Sequence, residues 1–155
     1  MQLTQKETSL LKDLKEQEQI CVEKYNKYST EAHDEQLKNL FTQIGQKETQ
    51  HLDTINQIMN GTVPSMQSGG GGNSNNTLTF TATYTAIDNN QNKQDDSFLC
   101  TDSLSSEKHV SSTYNTCIFE FKDTNIRDAL NHIQKEEQQH GEKIYNYMSQ
   151  NGMYS

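Results

Sequence analysis

The chain has no tryptophan, a single proline, three cysteines and no long apolar run. Each shortage excludes something. No stretch approaches the ~20 apolar residues of a membrane span, so no transmembrane segment is expected. The N-terminus, MQLTQKETSLLKDLKEQEQ, has no apolar signal core, so cytoplasmic synthesis is the expectation. Cys21, Cys100 and Cys117 are odd in number and match no zinc spacing. Cys21 and Cys117 fall on helical apolar stripes and read as small buried hydrophobes. Positive charge is also scarce: 13 Lys and Arg stand against 21 Asp and Glu, for a net charge of −8. That argues against a nucleic-acid binder, which shows a basic face. It suits a soluble protein or one that attracts cations. With 30% hydrophobic residues, the composition alone approaches that of a disordered chain. The placement of those residues points the other way.

Residues 4–60 contain no glycine or proline except Gly45. Leu11, Leu14, Cys21, Tyr25 and Tyr28 keep the 3–4 spacing of one helical face, with Glu18 inside the series. Leu37, Leu40, Phe41, Ile44, Ile55 and Ile58 do the same, with Glu48 and His51 inside. The break falls near Glu31–Asp34, where Asp34 suits an N-cap. So short a break predicts an antiparallel hairpin. Residues 62–76 are a glycine-rich linker. Residues 77–87, TLTFTATYTAI, alternate Thr with Leu78, Phe80, Ala82, Tyr84 and Ala86, the period of a β-strand. Residues 88–97 read as loop. The helical spacing then resumes through Glu107, Val110, Tyr114, Cys117 and Phe121, and again from Ile126 to Tyr147.

The two helical stretches are copies. With an offset of 89 and no gaps, residues 10–61 and 99–150 share 13 identities in 52 positions. They include Glu18/Glu107, Tyr25/Tyr114, Asp34/Asp123, Glu48/Glu137 and His51/His140. The expected architecture is therefore one domain over 1–155, all-α: a four-helix bundle of two repeated hairpins. Its parts are hairpin 4–60, linker and crossover strand 61–98, and hairpin 99–150.

Each half supplies a lone Glu and then a Glu-x-x-His: Glu18 with Glu48 and His51, Glu107 with Glu137 and His140. The i, i+3 spacing puts both members of a pair on one helix face. This is the inventory of a dimetal carboxylate site in a bundle core. Hard carboxylates with imidazole suit two ions of iron or manganese. Register agrees. All four glutamates stand 15 residues from their own predicted turn, ~22 Å at 1.5 Å per residue. If the turns lie at opposite ends, the four meet at one level. Two other readings compete: surface charges, and a hydrogen-bonded polar core without metal. Against the first, all six lie within apolar stripes. Against the second, four buried carboxylates without a cation are costly unless some are protonated. Tyr25 and Tyr114, two turns after Glu18 and Glu107, either bond the carboxylates or serve as ordinary aromatic core. Glu136 is placed to orient a His of the opposite hairpin, and its repeat partner is Lys47, which cannot accept. His33, His109 and His132 lie off the pattern and read as surface.

Two resemblances follow from these residues. The six ligands, with Tyr25, resemble those of ferritin-like dimetal proteins such as bacterioferritin and rubrerythrin. The stretch from SFLCTDS to YMSQNGMYS, with its NIRDAL segment and acidic-His helix, resembles the coat F family of bacterial spore coat proteins. The segment KETSLLKDLKEQEQICVEKYNKYS resembles helical hairpins of the same family. The resemblance implies a ferritin-like fold, a place in or under the spore coat, and other coat proteins as partners. The glycine-rich linker and threonine-alternating strand lie outside the family pattern. The functional expectation is a structural coat protein whose dimetal site stabilises the bundle. The alternative is a dimetal oxidoreductase that consumes peroxide or oxidises Fe(II). No rubredoxin-like cysteine pairs are present, so a rubrerythrin-type electron relay is missing. A lone strand has open edges. Residues 77–87 are therefore expected to pair with a second copy as a homodimer.

Overall fold

The computed structural model describes residues 2–65 and 79–154. They form four helices: α1 (Gln5–Glu31), α2 (Glu35–Met59), α3 (Gln91–Glu120) and α4 (Thr124–Gln150). Each starts on a side-chain cap. Thr4 and Glu7 make a reciprocal capping box, and Asp34, Asn90 and Asp123 accept from the first-turn amides of the other three. None of the four is long and apolar enough to cross a membrane.

Three-residue turns at 32–34 and 121–123 fold the helices into two antiparallel hairpins. Pairings between hairpins run in opposite senses along the chain. Lys6 meets Glu120 and Tyr28 meets Asp102, so α1 and α3 are antiparallel. Lys47 meets Glu136 and Asp34 meets Tyr147, so α2 and α4 are antiparallel too. The two turns therefore lie at opposite ends of the bundle. The chain leaving α2 must return along the whole bundle, ~40 Å for helices this long, before α3 begins. The core is split in two. One apolar pack gathers Leu11, Leu14, Ile55, Ile58, Cys117, Phe121, Ile126, Leu130 and Ile133. The other gathers Leu37, Leu40, Phe41, Ile44, Leu99, Cys100, Ile144, Tyr147 and Met148. All three cysteines are buried and unpaired.

Two expectations fail. No strand forms among the described residues, although a strand was expected over 77–87; Thr77 and Leu78 lie outside them. The reason is that side chains, not a neighbouring strand, satisfy this backbone. Thr81 N donates to Gln36 Oε1 at 2.9 Å. Thr83 N and Tyr84 N donate to Asn151 Oδ1 at 2.8 and 3.1 Å. Lys93 Nζ donates to the carbonyls of Thr85, Ala86 and Asp88 at 2.7, 3.4 and 3.0 Å. The alternation survives at Phe80, edge-on to Tyr147, and at buried Tyr84, whose hydroxyl donates to Asp96 at 2.8 Å. Ala82 and Ala86 are exposed. An open edge was the physical basis for a strand-paired homodimer; here the amides of Thr81, Thr83, Tyr84 and Thr85 are already bonded within the chain.

The second failure is the loop expected at 88–97, where α3 already begins at Gln91. Its buried positions there are Lys93, Asp96 and, a turn on from Leu99 and Cys100, Ser103. The helical period is present but written in polar residues, so an apolar pattern does not reveal it. Asp96 is fully buried, accepting from His33 N at 2.8 Å and Asp34 N at 3.0 Å.

Candidate metal centre

Between the two apolar packs lies a polar layer with one contribution from every helix. Glu18 comes from α1, Glu48 and His51 from α2, Glu107 from α3, and Glu137 and His140 from α4. All six are at most 3% exposed. Surface charges are thereby excluded as an account of them. Their ligand-capable atoms form two overlapping groups: Glu18, Glu48, His51 and Glu137, and Glu48, Glu107, Glu137 and His140. Within each group the atoms lie within 4.8 Å of one another. Glu48 and Glu137 belong to both, as carboxylates shared between two cation positions would.

The contacts are reciprocal between hairpins. His51 Nδ1 lies 2.8 Å from Glu137 Oε1, and His140 Nδ1 lies 2.9 Å from Glu48 Oε1. The imidazoles stack with centroids 5.8 Å apart. Tyr25 donates to Glu107 Oε1 at 2.5 Å, and Tyr114 donates to Glu18 Oε1 at 2.6 Å. Both tyrosines thus hold the carboxylate of the opposite hairpin, which decides between the two readings of them. Adding 89 to the number of each first-hairpin residue, and subtracting it from each second-hairpin one, turns either set of contacts into the other.

The second oxygen of each glutamate decides what the layer lacks. Oε2 of Glu18, Glu48, Glu107 and Glu137 is buried with no hydrogen-bond partner. Four such atoms at one level cost several kcal/mol unless protons or cations sit among them, at ~1–3 kcal/mol or more each. Burial, reinforced by the facing Glu48, pushes the Glu18 carboxyl well above its usual range. Burial and the facing Glu137 do the same to Glu107. Burial also acts upward on Glu48 and Glu137, but bonds from the facing glutamate and both histidines outweigh it and hold these two low. Burial acts downward on His51 and His140. Their carboxylate partners overcome it and raise both well above an ordinary imidazole. Four inward oxygens and two inward nitrogens form a donor set that fits two hard or borderline divalent cations.

Outside this layer, Glu136 accepts from His51 Nε2 at 3.2 Å, as its position predicts. It also takes Lys47 Nζ at 3.1 Å and His132 Nε2 at 2.9 Å. Burial raises its pKa, but His51 and Lys47 bring it down to about 2. His33, His109 and His132 are exposed, as expected. The part of His132 in holding Glu136 was missed; its signal was the i, i+4 spacing of the pair.

Residues 95–155 match the Coat F domain family. The matched span contains most of α3 and all of α4, with Glu107, Glu137 and His140. No curated protein and no solved structure matches the chain.

Proposed function

We propose that this chain is a spore coat or coat-associated structural protein: a ferritin-like bundle whose centre holds two ions of iron or manganese through Glu18, Glu48, His51, Glu107, Glu137 and His140. The observation that carries the metal reading is the pair of overlapping clusters of buried carboxylate and imidazole atoms, each within 4.8 Å, that share Glu48 and Glu137. The ferritin-like reading is supported by the topology, two antiparallel hairpins joined by one long crossover. The coat assignment is supported by the Coat F match over residues 95–155. Other coat proteins are the partners it implies. In this role the ions tie all four helices together at mid-length, where a core would otherwise hold apolar side chains. Metal content by mass spectrometry, on protein purified without chelator, is the test. Two equivalents of iron or manganese are expected. A protein with none, and no uptake of added ion, would leave a hydrogen-bonded polar core as the better account.

One observation favours a second reading, an oxidoreductase that consumes peroxide or oxidises Fe(II). A groove of about 290 Å³ between α1 and α3 is lined by Gln17, Ile20, Cys21, Ser106, His109 and Val110 among others. In the repeat these form three matched pairs: 17/106, 20/109 and 21/110. The groove therefore straddles the axis relating the hairpins, on the side away from the histidines. A small molecule entering there would approach both cation positions equally. Bound ions would supply Lewis acidity and redox capacity. Tyr25 and Tyr114 would keep Glu107 and Glu18 in place. Peroxide consumption by the metal-loaded protein separates the readings, since a purely structural centre gives no turnover.

A further inference from the structure

The two cation positions have matching ligands but unlike surroundings. We propose that they fill in order, the position beside His51 first, with Glu136 as the positioning residue that makes the difference; the inference rests on the dimetal reading above. His51 turns Nδ1 to the centre, 2.8 Å from Glu137, and Nε2 to Glu136 at 3.2 Å. Both partners are carboxylates, which only accept, so both ring nitrogens carry hydrogen without metal; when an ion replaces the Nδ1 hydrogen, the Nε2 hydrogen stays bonded to Glu136. Glu136 is itself fixed on three sides. His132 shares the oxygen that His51 uses, at 2.9 Å, and Lys47 holds the other at 3.1 Å. The ring orientation of His51 and the acceptor for its Nε2 hydrogen are set before an ion arrives.

His140 lacks this arrangement. Its Nδ1 also faces inward, 2.9 Å from Glu48. The residue in register with Glu136 is Lys47, whose ammonium has donors and no acceptor. Among the described residues no carboxylate contacts His140 Nε2. On loading, the hydrogen left on His140 Nε2 has no carboxylate to hold it, so the support that Glu136 lends His51 is missing at the second position alone. Repulsion between two cations would by itself weaken the second step even at identical positions. Ordered filling therefore has to be read from which residue governs which step.

The experiment is titration with manganese(II), counting free ion by its electron paramagnetic resonance signal, on the full chain and five variants. Glu136→Leu is expected to weaken uptake of the first ion by about 10- to 100-fold. Glu136→Gln keeps an acceptor without the charge and is expected to lie between it and the unaltered protein. His51→Gln should impair the first step and His140→Gln the second. Glu136→Leu combined with His51→Gln should bind no worse than His51→Gln alone, because the carboxylate acts through that ring. Equal effects of His51→Gln and His140→Gln, or Glu136→Leu acting undiminished without His51, would overturn the proposal while leaving the metal centre standing. No manganese uptake by the unaltered protein would overturn the dimetal reading itself, and this inference with it.

Discussion

At the scale of single residues, the proposed centre would exchange protons for cations. Without metal, burial and the facing glutamates shift the carboxyls of Glu18 and Glu107 toward their neutral form, and carboxylate partners shift His51 and His140 toward their cationic form. Metal ligation takes ionised carboxylates and neutral imidazoles, so loading should release protons. Calorimetry of manganese binding in buffers of different ionisation enthalpy counts them. Release of none would contradict the direction of these shifts. The sign of the pH dependence without metal follows from the same groups. The folded pKa values of Glu18, Glu107, His51 and His140 lie above their unfolded ones, so the folded chain holds the extra protons. Stability should fall as pH rises above about 4.3 for the two glutamates, and more steeply above about 6.5 for the histidines. The depressed Glu48 and Glu137 contribute the opposite slope, only below about 4.3. Urea unfolding of chelated protein at pH 5.5, 7 and 8.5 should show a steady loss, abolished by saturating manganese.

Among the elements, the crossover depends on the α4 terminus. Asn151, fully buried, accepts from two crossover amides and donates to the Tyr147 carbonyl at 2.9 Å. Asn151→Ala leaves two amides without an acceptor, and a cost of about 1–3 kcal/mol is expected. Proteolysis within residues 79–90 should accelerate, while manganese affinity stays unchanged because the centre lies at mid-bundle. Gly152 is held to glycine twice over. Its φ is +65°, and a Cβ there would come within 2.6 Å of Ala86 backbone atoms. Gly152→Ala should loosen the same segment. Gly45 makes room instead for α1, since a Cβ would meet that of Tyr25 at 3.3 Å.

For the whole molecule, metal should act as a ligand of the folded state alone. At an ion concentration 100 times the dissociation constant, one site adds about 2.7 kcal/mol. The melting temperature should therefore climb with added manganese and drop with chelator. Glu48→Leu with Glu137→Leu removes both shared carboxylates. That variant should lose the metal response and melt below the metal-free protein, since it leaves His51 and His140 buried without their carboxylate partners. A melt unchanged from that of the metal-free protein would mean that the His51–Glu137 and His140–Glu48 bonds contribute nothing to the fold.

The hairpins and the six central residues were legible in the sequence because both depend on local period and on a repeat. Leucine and isoleucine at 3–4 spacing define a buried helical stripe, and an acidic residue inside that stripe is conspicuous. The offset of 89 then fixes which residues must be equivalent. The tertiary structure alone decided what the crossover does. An alternating Thr and apolar segment specifies a strand only if a neighbour offers a ladder. Here Gln36, Asn151 and Lys93 satisfy its backbone instead, from positions distant in sequence. The start of α3 was hidden for the same reason: Lys93 and Asp96 are buried because crossover carbonyls, Tyr84 and the first hairpin turn complete them. The repeat predicted two equivalent residue sets, and its mismatch beside them, Glu136 against Lys47, was legible too. Only packing brought Glu136 against both His51 and Lys47 of the opposite hairpin, because those contacts join residues distant in sequence.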